Sequence, residues 1–270
     1  MAADKLKLGV IGGGNMGRAI VAGAIRAGVL APADVILAEI DEVRRREAAA
    51  LGCRVVSNSH EAVLAQQLLL AVKPQSFADV ADAIAPLSES KIAISIMAGL
   101  SSSRIRAALG PLVRVVRVMP NTPAQIGQGM TAIALGDGAA PGDERFAVQL
   151  FDALGRTAIV DESLMHAATA VSGSGPAYVF LLAEAMERAA LALGVDEPTA
   201  RLLVRQTILG AGSLLMDSDQ DASDLRRAVT SPGGTTAAAI EVMQINKLVD
   251  VVVEAIRAAR DRGAALDEWR

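Results

Sequence analysis

The sequence predicts an α/β chain: a doubly wound parallel sheet followed by an all-α region. Three observations carry this. Up to about residue 160, short and almost unbroken apolar runs alternate with helical patterns, the texture of a parallel sheet covered on both faces. A glycine-rich turn over residues 12–17 joins the first apolar run to the first helical pattern. From about residue 161 the strand-like runs stop and long Ala/Leu/Val helices take over. The chain of 270 residues, 52% hydrophobic, therefore divides into a sheet domain over 1–160 and a helical domain over 161–270.

Taken in order, residues 6–11 form the first strand, and the helix from Arg18 to about Ala27 stops at Gly28. Val35-Ile36-Leu37-Ala38 is the second strand, and a charged helix over 42–51 closes at Gly52. Apolar runs at 54–56, 68–72, 92–96 and 113–119 supply further strands, with helical stretches between them. Runs at 130–135 and 157–160 flank a helical pattern over 144–154 and extend the sheet. Helices follow over roughly 163–171, 176–193, 198–216, 222–229 and 235–262. Residues 177–183 and much of 248–256 are apolar on every side, so those helices need cover on every side. The last one, about 40 Å long at roughly 1.5 Å per residue, exceeds what one helical lobe can cover. A second copy of the chain is the simplest cover, which predicts an intertwined homodimer.

Composition excludes several classes. Aromatics are 2% of the chain, too few to stack single-stranded bases, and the net charge of −4 gives no basic patch for a phosphate backbone. No nucleic acid partner is expected. The single cysteine, Cys53, rules out a disulfide framework, and His60 and His166 lie far apart, so no metal site is expected. Glycine interrupts the N-terminal apolar run and no stretch is long enough for a bilayer, so the expected place is the cytoplasm, away from any membrane.

The chemistry begins at Gly12-x-Gly14-x-x-Gly17. A strand precedes it, a helix follows, and Glu39 lies 22 residues beyond Gly17 at the end of the second strand. Gly12 permits the tight turn, Gly14 lets a pyrophosphate approach the backbone, and Gly17 lets helix pack on strand, as in a dinucleotide-binding Rossmann domain. A carboxylate at Glu39 suits the ribose hydroxyls of NADH, whereas Arg44, Arg45 and Arg46 could turn toward a 2′-phosphate. Loops at the carboxyl ends of later strands, Val72-Lys73-Pro74-Gln75, Ile96-Met97-Ala98-Gly99 and Met119-Pro120-Asn121-Thr122-Pro123, line the same crevice. In the helical region Ser172-Gly173-Ser174-Gly175-Pro176 opens one helix. Thr230-Ser231-Pro232-Gly233-Gly234-Thr235-Thr236 opens the last, and its hydroxyls and bare N–H groups make a carboxylate receptor. No general acid or base stands out. That suits hydride transfer to an already protonated iminium and fits an alcohol dehydrogenase poorly.

Five segments, Ile11-Gly12-Gly13-Gly14-Asn15-Met16, Ala71-Val72-Lys73-Pro74-Gln75, Met119-Pro120-Asn121-Thr122-Pro123, Ser172-Gly173-Ser174-Gly175-Pro176-Ala177-Tyr178 and Val229-Thr230-Ser231-Pro232-Gly233-Gly234-Thr235-Thr236, run in order over essentially the whole chain. In them the chain resembles pyrroline-5-carboxylate reductase. The resemblance implies reduction of 1-pyrroline-5-carboxylate to L-proline with NADPH or NADH, the final step of proline biosynthesis. It implies an interlocked homodimer, with a decamer of five dimers beyond it. It further implies that Ile11, Gly12, Gly13, Gly14, Asn15, Met16, Asn58, Ala71, Val72, Lys73, Pro74, Ile96, Met97 and Ala98 line the cofactor. Ser231, Gly233, Gly234, Thr235 and Thr236 would hold the substrate carboxylate, completing a site on the other subunit. Thr236 would reach the ring nitrogen and Glu162 would stand near the iminium. Ala228 departs from members that place an amide there, and Ala38-Glu39-Ile40-Asp41 is more acidic than the loops of NADPH-preferring members.

Two other readings are weighed by the same residues. A β-hydroxyacid dehydrogenase needs a catalytic lysine in its helical domain, and none occurs between Lys91 and Lys247. A dinucleotide sensor needs no second anion site, which leaves the hydroxyls of 231–236 without a purpose.

Overall fold

The computed structural model describes residues 6–268. Among them, eight strands form one sheet in the order β3-β2-β1-β4-β5-β6-β7-β8. These are β1 (Leu8–Ile11), β2 (Val35–Ala38), β3 (Arg54–Val56), β4 (Gln67–Leu70), β5 (Lys91–Ser95), β6 (Val113–Met119), β7 (Gly129–Leu135) and β8 (Gly155–Ile159). Every pairing is parallel except β6 with β7, which is antiparallel. The expected doubly wound parallel sheet is present, with this one antiparallel pairing added to it. The chain re-enters β7 through a short turn over Thr122–Ile126, too short for the crossover a parallel neighbour needs. Strand order reverses between β1 and β4, which places a crevice at their carboxyl ends.

Helices α1 (Asn15–Arg26), α2 (Glu42–Ala49), α3 (Phe77–Ile84), α4 (Ser102–Leu109) and α5 (Arg145–Asp152) alternate with the strands. Side-chain direction alternates along β6 and splits the apolar set in two: Val116 and Val118 join one core with Ile20, Val21 and Phe151, while Val113 and Val115 join the other with Ile105 and Leu109. Two buried layers, one per face, explain why the strands read as unbroken apolar runs.

The remaining helices are α6 (Met165–Ala168), α7 (Gly175–Ala192), α8 (Glu197–Asp217), α9 (Ala222–Ala228), α10 (Thr235–Ile245) and α11 (Leu248–Glu268). Two expectations change here. The region 163–171 is not one α-helix: a π-helical turn, Thr169–Gly173, separates α6 from α7. The last helix is also two, because Asn246 donates its Nδ2 to the Val242 carbonyl at 2.8 Å and Lys247 adopts a left-handed φ of 55°. The apolar pattern continues across that break, so nothing in the periodicity marks it.

The compact units also differ from a division at 160/161. Among the described residues, one unit holds 6–175 with 258–268 and the other holds 176–257. Residues just after β8 stay with the sheet because their side chains are buried on it: Met165 packs with Met119, Ala132 and Ala134. The end of α11 joins the same unit through Asp267, whose Oδ1 accepts the Ser101 N–H at 2.7 Å.

Candidate functional site

The carboxyl ends of the central strands form one row, held by backbone bonds. Gly12 N–H donates to Ala38 O at 2.9 Å, Ala71 N–H to Ile11 O at 2.8 Å, and Ile96 N–H to Leu70 O at 3.1 Å. Gly12, Glu39, Ala71 and Ile96 are thereby brought to one edge, as the sequence predicts. Gly12 has φ of 109°, and a Cβ there would lie 2.5 Å from the Ala71 carbonyl oxygen. A Cβ on Gly17 would lie 2.2 Å from the Gly12 carbonyl oxygen, so the first turn of α1 closes only with glycine. Gly14 has no atom within 4 Å of its would-be Cβ, and as N-cap of α1 it offers no side-chain cap. The leading N–H groups of α1, from Asn15 and Met16, are left with the positive end of the helix dipole beside open space. A pyrophosphate fits such a cradle in both shape and charge.

Glu39 is 7% exposed and both of its carboxylate oxygens are engaged by backbone. Gly13 N–H donates to Oε2 at 2.8 Å and Asp41 N–H donates to Oε1 at 2.9 Å. Of the three arginines beyond it, Arg45 donates to the Glu39 and Ile40 carbonyls and Arg46 pairs with Glu42. Arg44 makes no ion pair among the described residues and is exposed. Lys73 and Ala98 are exposed at the same edge, Met97 is buried, and Asn58 caps its own turn by accepting the Glu61 N–H at 3.3 Å.

Asn121 holds the next part of the edge. It is buried; its Oδ1 accepts the Met130 N–H at 2.9 Å and its Nδ2 donates to the Ser172 carbonyl at 3.2 Å. The π-helical turn supplies that carbonyl, with Ser174 N–H reaching back to Thr169 O at 2.9 Å. Residues 119–121 and 172–175 are thus joined, which the sequence shows only as two separate motifs.

Glu162 has other partners than the expected iminium. Its Oε1 accepts from Ser102 N–H at 3.0 Å and from Arg117 Nη1 at 3.3 Å, and its Oε2 accepts from Ser102 Oγ at 2.6 Å. Arg117 is 4% exposed, so the carboxylate compensates a buried cation and caps α4. The expected place of Glu162 near the iminium is a separate matter from this structural role, and the carboxylate keeps 29% exposure beside it. An open pocket of about 520 Å³ lies beside this pair, lined also by Asp137, His166 and Asp267. Arg117, a charge inside an apolar strand, was the sequence signal for this cluster.

In the other unit, residues 231–236 form a turn into α10. Gly234 N–H donates to Ser231 O at 3.0 Å, Gly233 has φ of 70°, and no side chain caps Gly234. Ser231, Gly233 and Thr235 are exposed and Thr236 is half-buried, so donors at this N-terminus stand free for an anion.

A glycine-turned strand–helix junction at the switch point of a doubly wound sheet, followed by a helical unit with an anion-receptive turn, defines a dinucleotide-dependent oxidoreductase. Comparison with known proteins narrows this. A family profile described as "Pyrroline-5-carboxylate reductase dimerisation" matches residues 162–266, and one described as "NADP oxidoreductase coenzyme F420-dependent" matches residues 7–99. The pyrroline-5-carboxylate reductase of Haemophilus influenzae is 41% identical over 262 residues, covering 95% of this chain and 96% of that protein. Among solved structures, a pyrroline-5-carboxylate reductase from Coxiella burnetii superposes with a TM-score of 0.89 at 33% identity, covering 98% of this chain and 100% of that one. The Plasmodium falciparum pyrroline carboxylate reductase, solved with NADP bound, gives 0.88 at 29% identity over 99% of this chain and 100% of that one. The chain belongs to the pyrroline-5-carboxylate reductase family.

Proposed function

We propose that the protein reduces 1-pyrroline-5-carboxylate to L-proline with hydride from NADPH or NADH, as the last step of proline biosynthesis. The observation that carries this is the open phosphate cradle at Gly14, placed at the strand-order reversal of a chain from this family. The dinucleotide, when bound, supplies the hydride that reaches the imine carbon of the protonated substrate. Residues of the chain do the rest by positioning. Gly12, Gly14, Asn15, Met16 and Gly17 bind the pyrophosphate. Ala71, Val72, Lys73, Pro74, Ile96, Met97, Ala98, Met119 and Pro120 line the crevice, with Asn58 at its edge. Ser231, Gly233, Gly234 and Thr235 take the substrate carboxylate, and Thr236 orients the ring nitrogen. The nitrogen keeps the proton it brings, so no side chain is required as a general acid.

The dimer named by the family profile is the unit that works, and we propose a decamer of five dimers, acting in the cytoplasm. Native mass spectrometry checks the assembly against ten times the 27.8 kDa chain mass. Activity is tested by initial rates of NADH and NADPH oxidation with 1-pyrroline-5-carboxylate, comparing wild type with Thr236→Ala. The expected result is robust wild-type turnover and a loss of about ten-fold or more in kcat/KM for the variant, roughly 1.4 kcal/mol of transition-state stabilisation. Tight dinucleotide binding without turnover would overturn the reading.

A further inference from the structure

Resting on the cofactor site just proposed, we infer that Glu39 is a positioning residue that holds the phosphate-binding glycine turn, and that its charge does not choose between NADH and NADPH. An acidic residue at the end of a second strand ordinarily reads ribose hydroxyls. Here both carboxylate oxygens are already taken up by backbone donors. With 7% exposure, its two oxygens accept N–H groups from two segments: Gly13, 26 residues away in the glycine turn, and Asp41 in its own loop. A nearly buried carboxylate is stable only when such donors meet it, and these two bonds are charge-assisted.

The peptide groups of Gly13 are bracketed from both sides. Its N–H goes to Glu39, and its carbonyl accepts Arg18 Nη1 at 3.0 Å. Arg18 is itself paired with Glu47 of α2 at 2.6 Å. Glu39 in turn is fixed along its backbone, since Arg45 Nη1 donates to its carbonyl at 2.9 Å. The contact is close: a Cβ on Gly13 would fall 3.0 Å from the Glu39 Cβ and 2.9 Å from Leu37 Cδ2. A side chain at the middle position of the glycine motif would press on both Leu37 and Glu39. Gly14, the next residue, carries the open cradle. Glu39 thus acts on the cofactor through Gly13 and Gly14, on the phosphate portion that NADH and NADPH share.

The test is the affinity of purified wild type, Glu39→Gln, Gly13→Ala and the double variant for NADH and for NADPH, by isothermal titration calorimetry, with steady-state kinetics alongside. Glutamine offers one acceptor and turns a donor toward one of the two N–H groups, so one bond is lost. The expected result is a rise of about ten-fold in Kd for both cofactors, their ratio held within about two-fold. KM for the cofactor rises while kcat at saturation and KM for the imine stay near wild type. Gly13→Ala, which pushes on the same contact from the other side, reproduces the effect, and the double variant is no worse than the more affected single one. Should Glu39→Gln not fold, Glu39→Asp, too short to reach Gly13, carries the same comparison. A shift of five-fold or more in favour of NADPH, or unchanged affinity for both cofactors, would overturn the inference. Loss of turnover in a wild type that still binds both cofactors would instead count against the proposed reaction and leave this inference standing.

Discussion

The two compact units are built of similar residues and end in opposite states. In the sheet unit, Leu8, Val10, Ile36, Leu69, Ile94 and Val116 are completely buried, and α1, α3, α4 and α5 each lay an apolar stripe on the sheet. Within 176–257 only Ala200 and Val204 are buried. Phe180 and Leu181 are each 66% exposed, Leu193 is 85% exposed, and Ile245 is 71% exposed. The first unit covers its apolar surface with its own chain; the second presents its surface outward. An apolar surface of that extent is an interface, in keeping with the dimerisation profile over 162–266. The lesson is that apolar content says how much must be buried and says nothing of which chain does the burying.

The strongest way to break this comparison is a charge on the outward face. Phe180→Glu in α7 places a carboxylate where cover by another subunit is needed, against a side chain whose burial is worth about 1.5–3 kcal/mol. Counted in both copies of a symmetric dimer the cost doubles. The expected outcome is a native mass collapsing toward 27.8 kDa, with activity lost alongside. An unchanged mass and rate would mean that the face is free in the working protein. A matched charge in the sheet unit, at exposed Leu112 ahead of β6 and away from the crevice, should change neither quantity.

Glu162→Ala sharpens the other side of the comparison. Here the sheet unit holds residues from beyond β8 by polar means, through Arg117 and the N-terminus of α4. Removing the carboxylate strands a guanidinium that is 5% exposed. Because Glu162 itself is 29% exposed, water softens the penalty, and the expected destabilisation is about 2–3 kcal/mol rather than the full value for a buried pair. Thermal melting followed by circular dichroism checks it. The double variant Glu162→Ala with Arg117→Met should recover much of the loss, since the unpaired charge is then gone.

Much of this was legible in the residues, for identifiable reasons. The strands of the sheet unit showed because burial on both faces leaves unbroken apolar runs, and the glycine turn showed because Gly12 and Gly17 answer to steric limits that no other residue meets. Three features stayed hidden. The antiparallel entry of β7 depends on the length and path of a turn, to which an apolar run is indifferent. The break between α10 and α11 rests on one amide, Asn246, and one left-handed residue, Lys247, within an uninterrupted apolar pattern. The direction of the Glu39 and Glu162 carboxylates is set by partners 26 and 60 residues away, and spacing along a chain carries no information about those. Both acids were expected to face ligand, and the donors that hold them in the folded chain come from the protein itself.

Asn121 offers the finest test, since it ties β6 to the turn carrying Ser172 with one amide. Asn121→Asp keeps the size of the side chain and keeps the oxygen that accepts the Met130 N–H. It loses the donor to Ser172 O, and the ionised form would set a negative oxygen against that carbonyl. Burial raises the pKa of such a carboxyl, because the charged form is the one that water stabilised. Once protonated, the new O–H can donate to Ser172 as the amide did. The defect must therefore shrink as pH falls and grow as pH rises. We expect kcat about ten-fold below wild type at pH 8, a loss of one oriented hydrogen bond, narrowing toward wild type near pH 5.5. The KM for the dinucleotide should change less than kcat, as the phosphate cradle follows β1, with β4 and β5 between it and β6. Asn121→Ala, with no titratable group, should show a pH-independent loss. Parallel pH profiles for the two variants would show that the amide only fills space, and that the junction of 119–121 with 172–175 is held by packing of Met119 against Gly173 instead.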